Sequence, residues 1–115
     1  MKKIVLLALL LASQLALAAR YPDITMTEAG NSAAEVIVDR ITPTNITLAL
    51  SVTGTVDVTV QYAVNAANTV WYNHADLTAK TANTTGTIIS PVHGIRLVYN
   101  SGTGSATLSI LQAGN

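Results

Sequence analysis

Apolar and polar residues alternate strictly along two neighbouring segments in the middle of the chain, 45–52 and 56–64. Successive side chains of a β-strand leave opposite faces of the pleat, so an alternation with a period of two predicts half-buried strands. Thr53 and Gly54 separate the two segments and predict either a hairpin or a tight connection between two sheets. The apolar sides of these segments and of the later predicted strands 95–99 and 106–111 predict a core formed mainly by Ile46, Leu48, Leu50, Val56, Val58, Val60, Leu97, Leu108 and Ile110.

Shorter strand signals surround this pair, and no helical period follows residue 18. The further predicted strands are 35–41, 69–72, 87–90, 95–99 and 106–111. Residues 73–86 show the least pattern and predict a surface loop, and residues 100–104 predict a turn. About seven strands at short spacing predict an all-β fold, an antiparallel β-sandwich of immunoglobulin-like or jelly-roll topology.

Residues 1–18 differ in chemistry from the rest of the chain. Lys2 and Lys3 precede an unbroken apolar run over 4–11, and Ala16-Leu17-Ala18 has the small side chains that signal peptidase requires. The segment predicts a signal peptide or, alternatively, a retained apolar N-terminal helix. Residues 19–34 are polar and predict a linker or N-terminal arm, and residues 35–115 predict the β-sandwich domain.

The charge and cysteine content exclude several classes of function. Four basic and six acidic residues follow residue 18, for a net charge of −2 without any basic run. Nucleic-acid binding is therefore not expected, because it depends on clustered Lys and Arg. The chain has no cysteine, which excludes disulfides, thiolate nucleophiles and cysteine-based metal sites.

Few residues offer catalytic or metal-binding chemistry. A metal site assembled from His74, Asp76 and His93 would require the 73–76 loop to fold over the 91–94 turn. The alternative is that both histidines are exposed or locally hydrogen-bonded. The acidic residues are scattered singly, and no nucleophile elbow or Gly-rich oxyanion loop is present. We therefore expect no enzyme activity, no catalytic residues, no metal and no cofactor.

Two adjacent aromatic residues are the strongest candidates for contact with a partner. Trp71 and Tyr72 lie side by side in a predicted strand, so their side chains leave opposite faces. One can anchor the core while the other is presented outward, and both residue types make effective contact anchors. The candidate contact residues are Trp71, Tyr72 and the nearby His74. The alternative is that Trp71 is a core tryptophan and Tyr72 an ordinary edge residue.

Three segments resemble small phage-encoded virion proteins. These segments are 52–62 (VTGTVDVTVQY), 70–78 (VWYNHADLT) and 95–114 (IRLVYNSGTGSATLSILQAG). The resemblance covers roughly residues 27–115 and is to proteins that decorate or cement capsids. It implies a non-enzymatic structural protein on the virion surface that binds a protein lattice. We expect a homo-oligomer for a separate reason: a small disulfide-free sandwich with few charged residues leaves strand edges exposed.

Residues 1–18 do not fit that resemblance, because virion proteins assemble in the cytoplasm and normally carry no export signal. Either residues 1–18 are retained as an assembly arm, or the protein is a secreted relative with another role. The alternative function is a secreted or periplasmic adhesin or carbohydrate-binding module, with Trp71 or Tyr72 stacking on a sugar. A membrane contact is expected only through residues 1–18, if they are uncleaved.

Overall fold

The computed structural model describes residues 19–37, 45–65, 67 and 69–112. Ten strands lie in these ranges: β1 (Ala19–Arg20), β2 (Ile24–Met26), β3 (Gly30–Asn31), β4 (Glu35–Val36), β5 (Ile46–Thr53), β6 (Val56–Ala63), β7 (Tyr72–Asn73), β8 (Thr84–Ile88), β9 (Gly94–Gly102) and β10 (Ser105–Gln112). A single 3₁₀ turn, Ala75–Leu77, precedes β8. The predicted N-terminal helix falls on residues 1–18, outside the described residues.

The strands form two antiparallel sheets, which confirms the predicted all-β sandwich. In the first sheet β10 and β5 are central, with β8 on one side and β1 and β2 in succession along the other. In the second sheet β9 and β6 are central, with β7 on one side and β3 and β4 along the other. The described part of the chain contains no helix with the length and hydropathy needed to cross a bilayer.

The topology is that of a jelly roll rather than an immunoglobulin domain. Because β1 and β2 share one edge of β10, and β3 and β4 share one edge of β9, the ten strands act as eight. The first of these eight pairs with the last, the second with the seventh, the third with the sixth and the fourth with the fifth. Such nested antiparallel pairing is a two-stranded ribbon rolled into two sheets, which is the jelly-roll arrangement.

The core lies between the sheets, where the alternation of the sequence places it. All nine residues predicted for the core are at most 2% exposed. Along β5, Ile46, Leu48 and Leu50 are buried while Thr47 is exposed, which is the expected period of two. The core also includes eight residues outside this predicted set, namely Tyr21, Ile37, Leu77, Ile88, Val92, Ile95, Tyr99 and Ala106.

The structure decides between the two alternatives for Thr53 and Gly54. Because β5 and β6 lie in different sheets, the sheet-to-sheet connection is confirmed and the hairpin is wrong. Several predicted strand boundaries were also wrong. The predicted strand 87–90 is replaced by β8, and the predicted strand 69–72 by β7. In the predicted strand 35–41, only Glu35 and Val36 are strand residues among those described.

The segment 19–34, predicted as a linker or N-terminal arm, runs along the sandwich in short pieces that complete both sheets. Tyr21 is buried between β1 and β2, and its hydroxyl donates to Oε1 of Gln112 over 2.7 Å. This bond gives a partner to the amide of Gln112, which is only 1% exposed. A buried polar side chain is tolerated at the end of β10 because it is hydrogen-bonded.

We expect Val58→Asp to unfold the domain, because the Val58 side chain is fully buried in the core. A buried carboxylate without a partner costs several kcal/mol, against a total stability of only ~5–15 kcal/mol for a domain of this size. Thermal unfolding followed by circular dichroism measures the effect. The control is Thr47→Asp, at an exposed position of β5. A Val58→Asp protein that melts like the wild type would contradict the register of β6.

Candidate functional site

The candidate contact residues lie around β7, at the end of the sandwich opposite the β5–β6 connection. Tyr72 pairs in register with Tyr62 of β6, and Asn73 pairs with Gln61. Alternation along the strand therefore places Trp71 and Asn73 on the same side as Gln61, and Tyr72 on the side of Tyr62. Adjacent aromatic residues thus belong to two different surfaces.

Tyr72 and Tyr62 form a stacked pair at the rim of the core. Their ring centroids are 5.9 Å apart and their planes are inclined by 29°. Tyr62 is half-buried and packs against the core, whereas Tyr72 is 49% exposed. Such an offset pair stabilises the edge by about 0.5–1.5 kcal/mol beyond the area it buries. Tyr72 is therefore a supported aromatic ring that is half open to solvent.

Trp71 lies on the outer surface of the second sheet and carries a cation over its ring. Cζ of Arg96 lies 4.2 Å from the centroid of the indole. Nε of Arg96 donates to Oε1 of Gln61 over 2.8 Å, and Nε2 of Gln61 donates to Oδ1 of Asn73 over 2.8 Å. Partial burial lowers the pKa of the Arg96 guanidinium from its usual value, because desolvation disfavours the charged form.

His74 is buried and acts as a connection between the two sheets. Its backbone N–H donates to the carbonyl of Val60 in β6 over 2.9 Å. Its Nδ1 accepts from the backbone N–H of Asp76 over 3.2 Å, so the proton is assigned to Nε2, which donates to the carbonyl of Thr87 in β8 over 2.9 Å. His74 is only 7% exposed, which agrees with the alternative of a locally hydrogen-bonded histidine.

Gly86 explains how the ring of His74 fits between the sheets. A Cβ at position 86 would lie 3.0 Å from Cε1 of His74 and 3.0 Å from Cδ1 of Leu77. The inner face of β8 therefore has a gap at Gly86, which His74 and Leu77 fill from the 3₁₀ turn. This gap also removes the apolar signal from β8, which is why residues 84–86 were predicted as part of a loop.

The three residues considered for a metal do not form a site in the described part of the chain. No group of three or more His, Cys, Asp or Glu side chains is arranged there to hold a metal ion. His74 uses both ring nitrogens in hydrogen bonds, and Asp76 contributes its backbone N–H to one of them. The main chain of His93 bonds to Ala63 and Ile37.

An apolar cleft of about 440 Å³ opens beside the Tyr62 ring. Its walls include Tyr62, Val64, His74, Ile88, Ile89 and Pro91. Ile89 is 77% exposed and Val64 is 58% exposed, so the rim of the cleft is apolar and open to water. The sequence did not indicate this cleft, because it forms where the ends of two strands from different sheets meet.

Arg96 and Gln61 are the residues of this region that sequence reasoning missed. They are register partners in β9 and β6, 35 positions apart, and the pairing of these strands brings Gln61 to Arg96, whose guanidinium lies over Trp71. The roles of Trp71, Tyr72 and His74 in contact with a partner stay predictions.

We expect His74→Phe to destabilise the domain by about 1–3 kcal/mol, because a slightly larger aromatic ring still fills the site while the hydrogen bonds of both ring nitrogens are lost. Unfolding in denaturant measures the difference. Tyr72→Phe is the matched control: it keeps the stack with Tyr62, and within the described residues its hydroxyl has no hydrogen bond, so the change should stay within about 0.5 kcal/mol. Equal stability of the two variants would contradict the role of His74 as a connection.

Comparison with known proteins finds a weak structural similarity. No family profile matches the chain, and no curated protein matches it. Among solved structures the chain is similar to a protein of the disulfide-linked pili that form Bacillus endospore appendages. The two are 15% identical, the alignment covers 85% of this chain and 89% of that one, and the TM-score is 0.38. A likeness of this degree carries no argument about function, and the resemblance to capsid-decorating proteins stays a prediction.

Proposed function

We propose that this chain is a non-enzymatic structural protein that packs against a protein lattice, as a subunit decorating a phage capsid does. The observation that carries the proposal is the outer surface of the first sheet. Its outward positions on β2, β5, β8 and β10, which we name the threonine face, are Thr25, Thr47, Ala49, Ser51, Thr53, Thr85, Thr87, Ser105, Thr107, Ser109 and Leu111. None of these side chains is charged.

Such a surface suits burial against another protein. Burying a charged side chain requires its water shell to be replaced, whereas Thr, Ser and Ala lose little on contact. The hydroxyls of Thr25 and Thr107 already bond to each other over 3.0 Å, which leaves fewer polar groups for a partner to satisfy. Arg20 of β1 is the register partner of Leu111.

The free edges of the sheets also favour assembly. Among the described strands, β8 ends the first sheet and β7 ends the second, so both sheets have an edge strand on the same side of the sandwich. These edges are covered in part, where His74 donates to the carbonyl of Thr87 and where Lys80 pairs with Val58. An unpaired edge presents N–H and C=O groups that can pair with another chain. We therefore expect a homo-oligomer or an equivalent pairing with a host lattice.

The second candidate function is a secreted or periplasmic adhesin or carbohydrate-binding module. The half-exposed Tyr72 ring supports it, because a tyrosine held in place by Tyr62 can stack on a sugar. Trp71 supports it less, since Arg96 covers a face of the indole. The proposed location is accordingly the virion surface, with secretion as the alternative.

The threonine face makes a direct prediction about assembly. Ser51→Lys should reduce self-association or attachment to the particle, because a cation at the centre of the contact must be desolvated. Sedimentation velocity at high protein concentration measures the oligomer. The control is Thr55→Lys, an exposed substitution at the β5–β6 connection, which should assemble like the wild type. A wild-type protein that is strictly monomeric and has no particle-bound form would contradict the proposal.

The two candidate functions differ in the treatment of residues 1–18. If these residues are a signal peptide, replacing Ala16 and Ala18 with bulky residues should leave an unprocessed, membrane-bound precursor, because signal peptidase accepts only small side chains there. If they are a retained arm, the same changes should leave location unchanged. Mass spectrometry of the N-terminus decides: protein that begins at Met1 or Lys2 in assembled particles supports the arm, and protein that begins at Ala19 supports secretion.

A further inference from the structure

Arg96 has a fixed position before any partner arrives. Its guanidinium lies over the Trp71 ring, and its Nε is bonded to Gln61, whose amide is held in turn by Asn73. These contacts hold the plane of the guanidinium and the direction of its two terminal nitrogens. A pre-organised guanidinium loses less conformational freedom on binding than a flexible one does.

The two terminal nitrogens of Arg96 are the unused part of this arrangement. Within the described residues, Nη1 and Nη2 have no hydrogen-bond partner, and no carboxylate forms an ion pair with the guanidinium. The remaining donors form a planar fork. This fork matches the two oxygens of a carboxylate, which it can bind through two parallel hydrogen bonds.

The surroundings of Arg96 resemble the centre of a protein interface. Continuing the β6–β7 register by one residue places Trp71 opposite Ala63, which pairs with Gly94 of β9, so small residues leave room for the indole on the sheet. Val36 pairs with Gly94 from the other side and is 44% exposed, and Val70, next to Trp71, is 51% exposed. Arg and Trp flanked by exposed apolar residues are the composition of interface hot spots.

We propose that Arg96, held over Trp71, binds the carboxylate of an Asp or Glu side chain presented by a protein partner. The apolar flank favours a protein over an acidic polysaccharide, whose hydrated chain gains nothing from Val36 and Val70. This inference rests on the proposed function, in which the partner is a protein, and adds the chemical group that the partner presents. The site lies on the second sheet, however, on the opposite surface from the threonine face.

Trp71 is the only tryptophan of the chain, so its fluorescence reports on this site alone. The experiment titrates the full chain with poly-L-glutamate at constant ionic strength. A saturable change in Trp71 fluorescence is expected. Arg96→Gln should weaken binding about tenfold or more, and Arg96→Lys should also weaken it, because an ammonium group lacks the planar fork. The control Lys80→Gln removes a cation outside the site and should bind like the wild type.

Three results would overturn the proposal: no fluorescence change in the wild type, wild-type binding by Arg96→Lys, or tighter binding of polygalacturonate than of poly-L-glutamate. The last result would assign the site to an acidic polysaccharide. Melting curves establish that each variant is folded, and if Arg96→Gln is not, Arg96→Lys carries the test. Ser51→Lys should bind poly-L-glutamate like the wild type, so a failure of assembly through the threonine face is distinguishable from a failure of this site.

Discussion

The close contact between two sheet-to-sheet corners constrains the whole sandwich. The β5–β6 and β9–β10 connections cross from one sheet to the other at the same end, and their backbones touch there. The N–H groups of Thr103 and Gly104 both donate to the carbonyl of Thr55 over 2.9 Å. A Cβ at Gly104 would lie 2.0 Å from the carbonyl oxygen of Thr53, and one at Gly102 2.3 Å from that of Thr55. Glycine is therefore required at both positions. The two corners fix the register of the four central strands that they join, β5 with β6 and β9 with β10.

Once the registers are fixed, the two outer surfaces acquire different chemistry. The threonine face carries hydroxyl and methyl groups, whereas the second sheet presents a network of charged and amide side chains. There, Asn100 donates to Asp57 over 2.9 Å and to Thr59 over 3.1 Å, and Arg96 is linked to Gln61 and Asn73. One surface can be covered with little loss of solvation, while the other offers directed hydrogen bonds. This asymmetry suits a subunit that has distinct neighbours on its two sides.

The parts of the fold that were predicted from the sequence are those in which local pattern and burial agree. The alternation along β5, β6 and β10 identified most of the core residues because each of these strands has eight residues and one side that is mostly buried. The strands β1 to β4 have two or three residues each, too few for a period to show, and they form because β10 and β9 offer an unpaired edge. In β8, Gly86 takes the place of an apolar residue, so the alternation is hidden until His74 and Leu77 are seen to fill the gap.

For the candidate site, the sequence predicted only what the geometry of a single strand determines. Adjacency indicated that Trp71 and Tyr72 serve different surfaces, since a strand alternates its side chains whatever it pairs with. Their neighbours depend on which strands lie beside them: Tyr62 supports Tyr72 because β6 pairs with β7, and Arg96 reaches Trp71 because β9 pairs with β6. A cation held over an aromatic ring thus becomes visible only when the strands of the sheet are paired. The sequence identifies Trp71 as a candidate contact residue, and the pairing of β9 with β6 places the Arg96 guanidinium over its ring.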